Sequence, residues 1–554
     1  MDSQVLTRSR NPLARILSWH PYSVVLLATV LSFLRTGYLP IDNNNVYHLP
    51  ILMNSFALPQ FASDPFIQSL QHFSSGFWIV FTGAGQIINP KLFLAFWLAV
   101  THFSLLAAAV HLARSFGFHE RRVLNIYVLL LAIAACLQGT TVGGAGVMLN
   151  YFTHSELANA PLIFGLSYAV RGRYAQAAIA TALTFFLNAF MAVWMILPLC
   201  FLAAYQLRTG AISWRTLMVR GLLGSLIGGV LLVPPLLNVL SNHQILEVPA
   251  FSYRQFLRGF YPAHFFLDGN SWLEVVALAA AALSCFLAAA QLGRQANALR
   301  HLAGGASALL VIGAAAPLVT DSALVLNLHL IRSAVMIMML STFAVALLAA
   351  AWMAAPDRAV AFRGLTLAIA LVAVWFSAAF ACVLLAFYRA ANRRGKDEDR
   401  QGKHTVAIVA LCTIAAMTVI FLSYPTCLYQ RKNLEVSHEW QALGSWADHQ
   451  LPPDTKFLIW PKRLPEIAAL GFEYTSRRQQ IFATKFGAAV MWSPAYFDIW
   501  DGSKQLRRKS ATSQDILSYA STHGAAYLGT DCDPVFGEIV HQEGDSCVYA
   551  VSNR

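Results

Sequence analysis

Apolar runs that can cross a bilayer recur along most of this chain, the first at residues 21–35 and the last at residues 405–424. A membrane helix needs roughly 20 such residues, and about twelve runs of that kind are present. A span facing lipid must satisfy its own backbone hydrogen bonds, and no strong period-two barrel pattern is visible, so each run is expected to be a helix. Composition agrees: of 554 residues, 57% are hydrophobic and 12% charged, against roughly 25% charged in a soluble domain.

The first run follows Arg8, Arg10 and Arg15, and no small-residue cleavage site follows it. It reads as a retained anchor and not a removed signal. Basic residues favour the cytoplasmic side, which puts the N-terminus inside and the first loop, residues 38–90, outside. The basic loops at 114–122, 171–174, 208–220 and 294–300 then fall on the cytoplasmic side together. This makes residues 175–207 a tight hairpin of two helices turning near Asn188. The pattern breaks later, because 357–363 and 389–403 are both basic with one visible span, 365–387, between them. One crossing is missing, so the total is twelve or thirteen.

The polytopic part is assigned to residues 1–428 and a soluble domain to residues 429–554. From residue 430 onward Lys and Arg number 13 and Asp and Glu 14, so the net charge of +12 belongs to the membrane part. That charge reports topology and anionic lipid, and gives no reason to expect nucleic acid. In the tail, residues 439–449 and 513–523 have helical spacing, and 456–460 and 547–551 read as strands, which gives an α+β domain. The fold class expected is an all-α polytopic domain of about 12–13 helices followed by a small α+β domain. Cys136, Cys200, Cys285 and Cys382 lie in apolar runs as small hydrophobes. Cys532 and Cys547 flank a hairpin, and a disulfide between them would place the tail in an oxidising compartment.

Few acidic residues fall outside the cytoplasm: Asp42, Asp64, Glu156, Glu247, Asp268, Glu274 and Asp321. Asp64, Glu247 and Glu274 read as loop or helix-capping carboxylates; Asp64 precedes Pro65, as at a helix start. Asp42 and Glu156 have unusual company. Asp42 is followed by Asn43, Asn44 and Asn45, then Tyr47, His48 and Pro50, on a helix expected along the membrane surface. Glu156 follows the glycine-rich stretch 139–146 and sits beside His154. Two loop carboxylates with nearby histidines suit a general base, a divalent metal, or both. Ser155 and Glu156 also suit the start of a helix at Leu157.

These residues resemble the GT-C superfamily of membrane glycosyltransferases, which includes oligosaccharyltransferases and protein mannosyltransferases. In that family the first external loop carries an acidic residue after the first helix, then a surface helix with a Tyr-His-like element; Asp42, Tyr47 and His48 match. Residues 156–174, running into Arg171-Gly172-Arg173-Tyr174, look like the second-loop acid and the helix after it. Trp446, residues 451–461, Phe472 to Arg478 and Lys485-Phe486-Gly487 are similar to the soluble tail of a group of bacterial members. The chain departs from the family in three places. It has no Asp-Asp or Glu-Asp pair in the first loop, no Trp-Trp-Asp motif in the tail, and Asn188 where relatives commonly place a histidine. The acceptor is therefore not carried over.

The resemblance implies a cell-envelope enzyme, multi-pass in the bacterial inner (plasma) membrane, with its tail extracytoplasmic. A polyprenyl-phosphate-linked sugar would be the donor, and an extracytoplasmic hydroxyl or amide the acceptor. Asp42 would be the base, with inversion, and Glu156 the second acid; Tyr47, His48 and His154 would contact substrate. The leaving lipid phosphate needs a cation, for which Arg332 is the main candidate, with Arg254 and Arg258 behind it. Arg332 also suits snorkelling to headgroups, and His329 an interfacial position.

A transporter or flippase, and a non-catalytic scaffold of the same fold, are the alternatives. The first expects internal repeats and helices broken near the midplane, for which Pro234-Pro235 is the available breaker. No convincing repeat is visible, and the polar residues cluster at the outer ends of helices.

Overall fold

The computed structural model describes residues 16–42, 44–246, 249–373, 377–394, 431–481, 484–508 and 511–551. Arg8, Arg10, Arg15, Glu247 and the span expected at 405–424 lie outside these. Among the described residues six helices are long and apolar enough to cross a membrane: Pro90–Ser115, Ala189–Arg208, Trp214–Ser241, Trp272–Gln291, Asn297–Val319 and Ala323–Ala354. Shorter apolar helices accompany them, among them Pro21–Thr36 and Tyr174–Leu187.

Local sequence sets where these helices begin. Asn89 accepts from the Lys91 and Leu92 amides ahead of Pro90, and Ser271 with Glu274 forms a capping box before Trp272. Such caps satisfy amides that have no partner inside the helix. The Ala334–Ala354 helix is apolar all round, and every residue from Ala334 to Ala350 is buried. A helix without a polar face belongs in the middle of a bundle. It packs against Arg121–Ile133, Trp272–Gln291, Asn297–Val319 and Arg358–Ala373. Trp214–Ser241 is peripheral, with Leu222, Leu226, Val230 and Leu237 all exposed. Its inner face meets Tyr174–Leu187 through glycine: a Cβ on Gly224 would stand 2.3 Å from the Ala175 carbonyl oxygen. Small residues give membrane helices this close approach. The helix runs unbroken through Pro234 and Pro235, so the break that a transporter reading expects there is absent.

The basic loops gather on one face. Arg171 reaches the His111 carbonyl (3.3 Å), Arg220 the Gly172 carbonyl (3.4 Å) and Gln206 the Ala169 carbonyl (3.0 Å), while Arg114 lies over Tyr22. The hairpin expected at 175–207 turns at Asn188, which caps the helix Ala189–Trp194. The run expected as one span is also divided. The run 365–387 is part of two helices, Arg358–Ala373 and Ser377–Arg394. They are antiparallel, since Thr366 near the start of the first bonds Tyr388 near the end of the second at 2.5 Å. At 1.5 Å per residue they are about 24 and 27 Å long, and Arg363 of the first lies over Tyr388 of the second, beside Arg389.

The tail carries a five-stranded sheet in the order β2-β1-β3-β5-β4. Its strands are β1 (Lys456–Ile459), β2 (Gln479–Gln480), β3 (Tyr527–Asp531), β4 (Ile539–Glu543) and β5 (Ser546–Ala550). β1 pairs in parallel with β2 and β3, and β5 antiparallel with β3 and β4. Trp440, Phe457, Phe472, Leu528 and Tyr549 fill its core. Cys532 and Cys547 form a disulfide. Closing a loop of sequence separation 15 stabilises by about 3 kcal/mol through the unfolded chain. Reduction should therefore lower the thermal midpoint of the tail in calorimetry; an unchanged midpoint would show that the bond carries none of its stability.

The tail packs on the face that carries the first loop. Lys91 bonds Gln441 (2.8 Å), Asn242 the Trp492 carbonyl (2.6 Å), Asn327 the Met491 carbonyl (3.3 Å), and the Trp492 indole the Ser69 hydroxyl (3.1 Å). This changes the setting of the helix Asn45–Leu52. It is expected on the membrane surface, yet all eight of its residues are buried, and the Tyr47 hydroxyl donates to the Lys485 carbonyl at 2.7 Å. The tail, and not lipid, covers it.

Candidate functional site

Asp42 is held where two loops are laced together. The Leu39 amide donates to the Asn150 carbonyl (2.8 Å) and Asn45 Nδ2 to the Phe152 carbonyl (3.4 Å). The Asp42 amide donates to Asn45 Oδ1 at 3.1 Å. The first asparagine run therefore fixes the backbone around the carboxylate, as short polar side chains do in turns. Between the two carboxylate loops stands Tyr151, whose phenol is raised well above its usual pKa by burial, then by Glu156, then by Asp42. The two acids bracket one buried phenol.

Glu156 is in the first turn of His154–Val170, capped by Thr153, whose hydroxyl accepts from the Glu156 amide at 3.3 Å. The helix thus opens at His154, ahead of the start expected at Leu157. Glu156 is 4% exposed, and its Oε2 has no hydrogen-bond partner. It lines a cleft of about 320 Å³ with Asn159, Asn188, His329 and Arg332. Asn159 Oδ1, His329 Nδ1 and Arg332 Nε are likewise enclosed and without partners. Buried polar groups in folded proteins are nearly always satisfied. Four unsatisfied ones around a single cleft point to a polar occupant.

The cleft's other wall is apolar: Phe190, Met191 and Trp194, with Phe190 37% exposed toward the outside of the bundle. His329 adopts the left-handed conformation (φ 49°) and sits between Phe265 and Phe190. Glycine allows this packing. Gly143 has φ 82°, and a Cβ there would lie 2.7 Å from the Arg332 Cα; one on Gly144 would lie 2.4 Å from His264 Nε2.

The tail adds a cation. Lys485 is 6% exposed, and its ammonium lies 4.6 Å from the centre of the Tyr261 ring. Burial pulls its pKa from 10.5 down to about 8; Glu466 opposes this, Arg332 adds to it, and Asp42 opposes it. His264 is held well below its usual pKa by burial and then by the charges of Arg332 and Lys485. Arg332, Lys485 and a neutral His264 thus surround the region between Asp42 and the cleft. Lys485 enters the sequence reading only through the tail resemblance, and Tyr151 and His264 not as site residues, because each is an ordinary residue until long-range packing assembles it.

The other expected site residues are placed differently. His154 accepts from the Trp78 indole at 3.1 Å, and His48 stacks on Trp78 at 4.4 Å. Tyr47 packs on Phe73 and Trp492. These three form an aromatic mount beneath the tail, next to the cleft but not among the residues lining it. Arg254 binds the Pro317 carbonyl at 3.2 Å, and Arg258 pairs with exposed Asp268 at 2.8 Å; both lie outside the cleft. Among the described residues no group of three or more His, Cys, Asp or Glu is arranged to hold a metal ion. The cleft's donor set of one carboxylate, two amides, one imidazole and a guanidinium does not fit a divalent ion.

No family model and no curated protein matches the chain. Solved structures do. The oligosaccharyltransferase AglB from Archaeoglobus fulgidus, in complex with an inhibitory peptide and a dolichol-phosphate, is 12% identical with a TM-score of 0.39 over 92% of this chain and 69% of that one. The apo form of the Archaeoglobus fulgidus oligosaccharyltransferase gives 12%, 0.42, 93% and 70%. Its complex with zinc and sulfate gives 13%, 0.36, 92% and 68%. With TM-scores below 0.5, these likenesses leave function to the residues of the site.

Proposed function

We propose that the protein is a membrane glycosyltransferase of the GT-C kind, taking a sugar from a polyprenyl-phosphate donor to an acceptor outside the cytoplasm. The observation that carries this reading is the cleft with four unsatisfied buried polar atoms, an arginine among them, next to an apolar wall that reaches the outside of the bundle. A guanidinium offers a planar fork of donors to phosphate oxygens, and the Phe190 side gives an isoprenoid chain an apolar approach. Lys485 supplies a second positive charge from the tail.

Asp42 is half-buried at the loop face, whereas Glu156 is enclosed. An acceptor arriving from water reaches Asp42 first. Its hydroxyl or amide attacks the anomeric carbon and gives its proton to Asp42. The bond from that carbon to the phosphate oxygen breaks with its electron pair, and polyprenyl phosphate leaves against Arg332 and Lys485. Attack opposite the leaving group inverts the anomeric centre. Glu156, enclosed in the same cleft, helps to position the guanidinium.

The tail shares a face with the Asp42 loop, and the expected span at 405–424 brings the count to thirteen. The Cys532–Cys547 bond supports placing that face in an oxidising compartment.

Lys485 makes donor binding pH-dependent. Its free pKa is about 8 and a bound phosphate raises it, so affinity is full below that value and declines as pH rises through it. Lys485→Gln should remove this decline. The test of the reading is transfer from a labelled polyprenyl-phosphate sugar by the protein in liposomes. Release of polyprenyl phosphate with inverted product is expected; translocation of intact donor without cleavage would favour a flippase and sink the proposal.

A further inference from the structure

A second cavity lies between the first loop and the tail. It encloses about 990 Å³ of empty space including its mouth, and is lined on the loop side by Leu49, Met53, Leu58 and Phe61. From the tail, the helix Pro465–Ser476 contributes Glu473, and Arg477 follows at the helix end. Both carboxylate oxygens of Glu473 are enclosed and without hydrogen-bond partners. An uncompensated carboxylate in an apolar setting is costly, so this one is either protonated or waiting for a cation. Burial and nearby Asp64 push its carboxyl well above the usual range, so it stays protonated until a cation arrives to hold it ionised. Arg477 is exposed at the rim and held in the left-handed conformation (φ 48°).

The cavity therefore has an apolar wall, an unpartnered carboxyl at its floor and a positive rim. Beside its Gly85–Gln86 edge stand Ile87 and Ile88, which are 90% and 49% exposed. We propose that this cavity is a second ligand site that takes a molecule bearing a primary ammonium next to an anionic phosphate on an apolar body. Glu473 holds the ammonium, Arg477 the phosphate, and Leu49, Met53, Leu58 and Phe61 the apolar part. An aminophospholipid and a small phosphoamine share the headgroup chemistry; the exposed apolar edge at Ile87 and Ile88 and the apolar wall favour the lipid. This site is independent of the Arg332 cleft.

The test is binding of short-chain phosphatidylethanolamine to the full chain in detergent, with phosphatidylglycerol and free phosphoethanolamine as comparison probes. Saturable binding of phosphatidylethanolamine is expected, weakened about tenfold or more by the isosteric Glu473→Gln, which removes a charge-assisted contact. Arg477→Ala, at the exposed rim where packing is not disturbed, should weaken it less. Equal binding of phosphatidylglycerol, or unchanged binding in Glu473→Gln, would overturn the site. Phosphoethanolamine binding as tightly as the lipid would overturn the apolar part of the assignment.

Discussion

Arg332→Ala is expected to weaken donor binding by about thirtyfold or more, because truncating one member of an enclosed charge system costs about 2–5 kcal/mol. Three features of the site produce so large an effect. The guanidinium Nε is enclosed and without a partner, so the free protein already bears its desolvation. Glu156 is buried in the same cleft and loses the cation beside it. The neighbouring wall is apolar and offers no replacement donor. Arg332→Lys should restore little, since an ammonium cannot reproduce a planar fork. Arg258→Ala is the control: its pair with Asp268 is exposed on both sides, and such pairs contribute about 0–1 kcal/mol. Titration of the protein with polyprenyl phosphate measures all three. Equal effects at Arg332 and Arg258 would remove Arg332 from the phosphate site.

Asp42→Asn should leave donor affinity nearly unchanged and slow transfer by about 10²–10⁴-fold, the usual contribution of a positioned general base. The separation follows from placement. Asp42 is not among the residues lining the cleft, and it meets the site through Tyr151 and Lys485. The variant keeps side-chain volume, and its backbone amide still donates to Asn45, so the loop is retained. The expected signature is a fall in kcat with KM for the donor held. A variant that transfers at the normal rate would move the base to another group, with Glu156 next to be tested. A variant that loses donor binding as well would mean that Asp42 shapes the phosphate site.

The membrane helices were legible because a bilayer imposes one length and one hydrogen-bonding solution on every span. Residues 365–387 read as one span because no charge, glycine or proline interrupts them, whereas the structure divides them between two antiparallel helices. The pairing of the Asp42 and Glu156 loops was legible as two carboxylates at the same ends of helices, and the structure laces those loops through Leu39 and Asn45. Lys485 was not legible. A lone lysine in a polar tail is ordinary until Tyr47 seats its carbonyl and the fold buries its ammonium near Arg332. Tyr47 and His48 stand out in the sequence for their side chains, but in the structure they join an aromatic mount shared with Trp78, Phe73 and Trp492. A motif shows which residues matter to an element; packing decides whether they face substrate or support it.

The most direct measurement is a density map of the protein in lipid with a polyprenyl-phosphate sugar bound. The phosphate should lie within about 3 Å of the Arg332 guanidinium, with Lys485 on its other side and the anomeric carbon facing Asp42. A headgroup far from both Arg332 and Asp42 would contradict the proposed site.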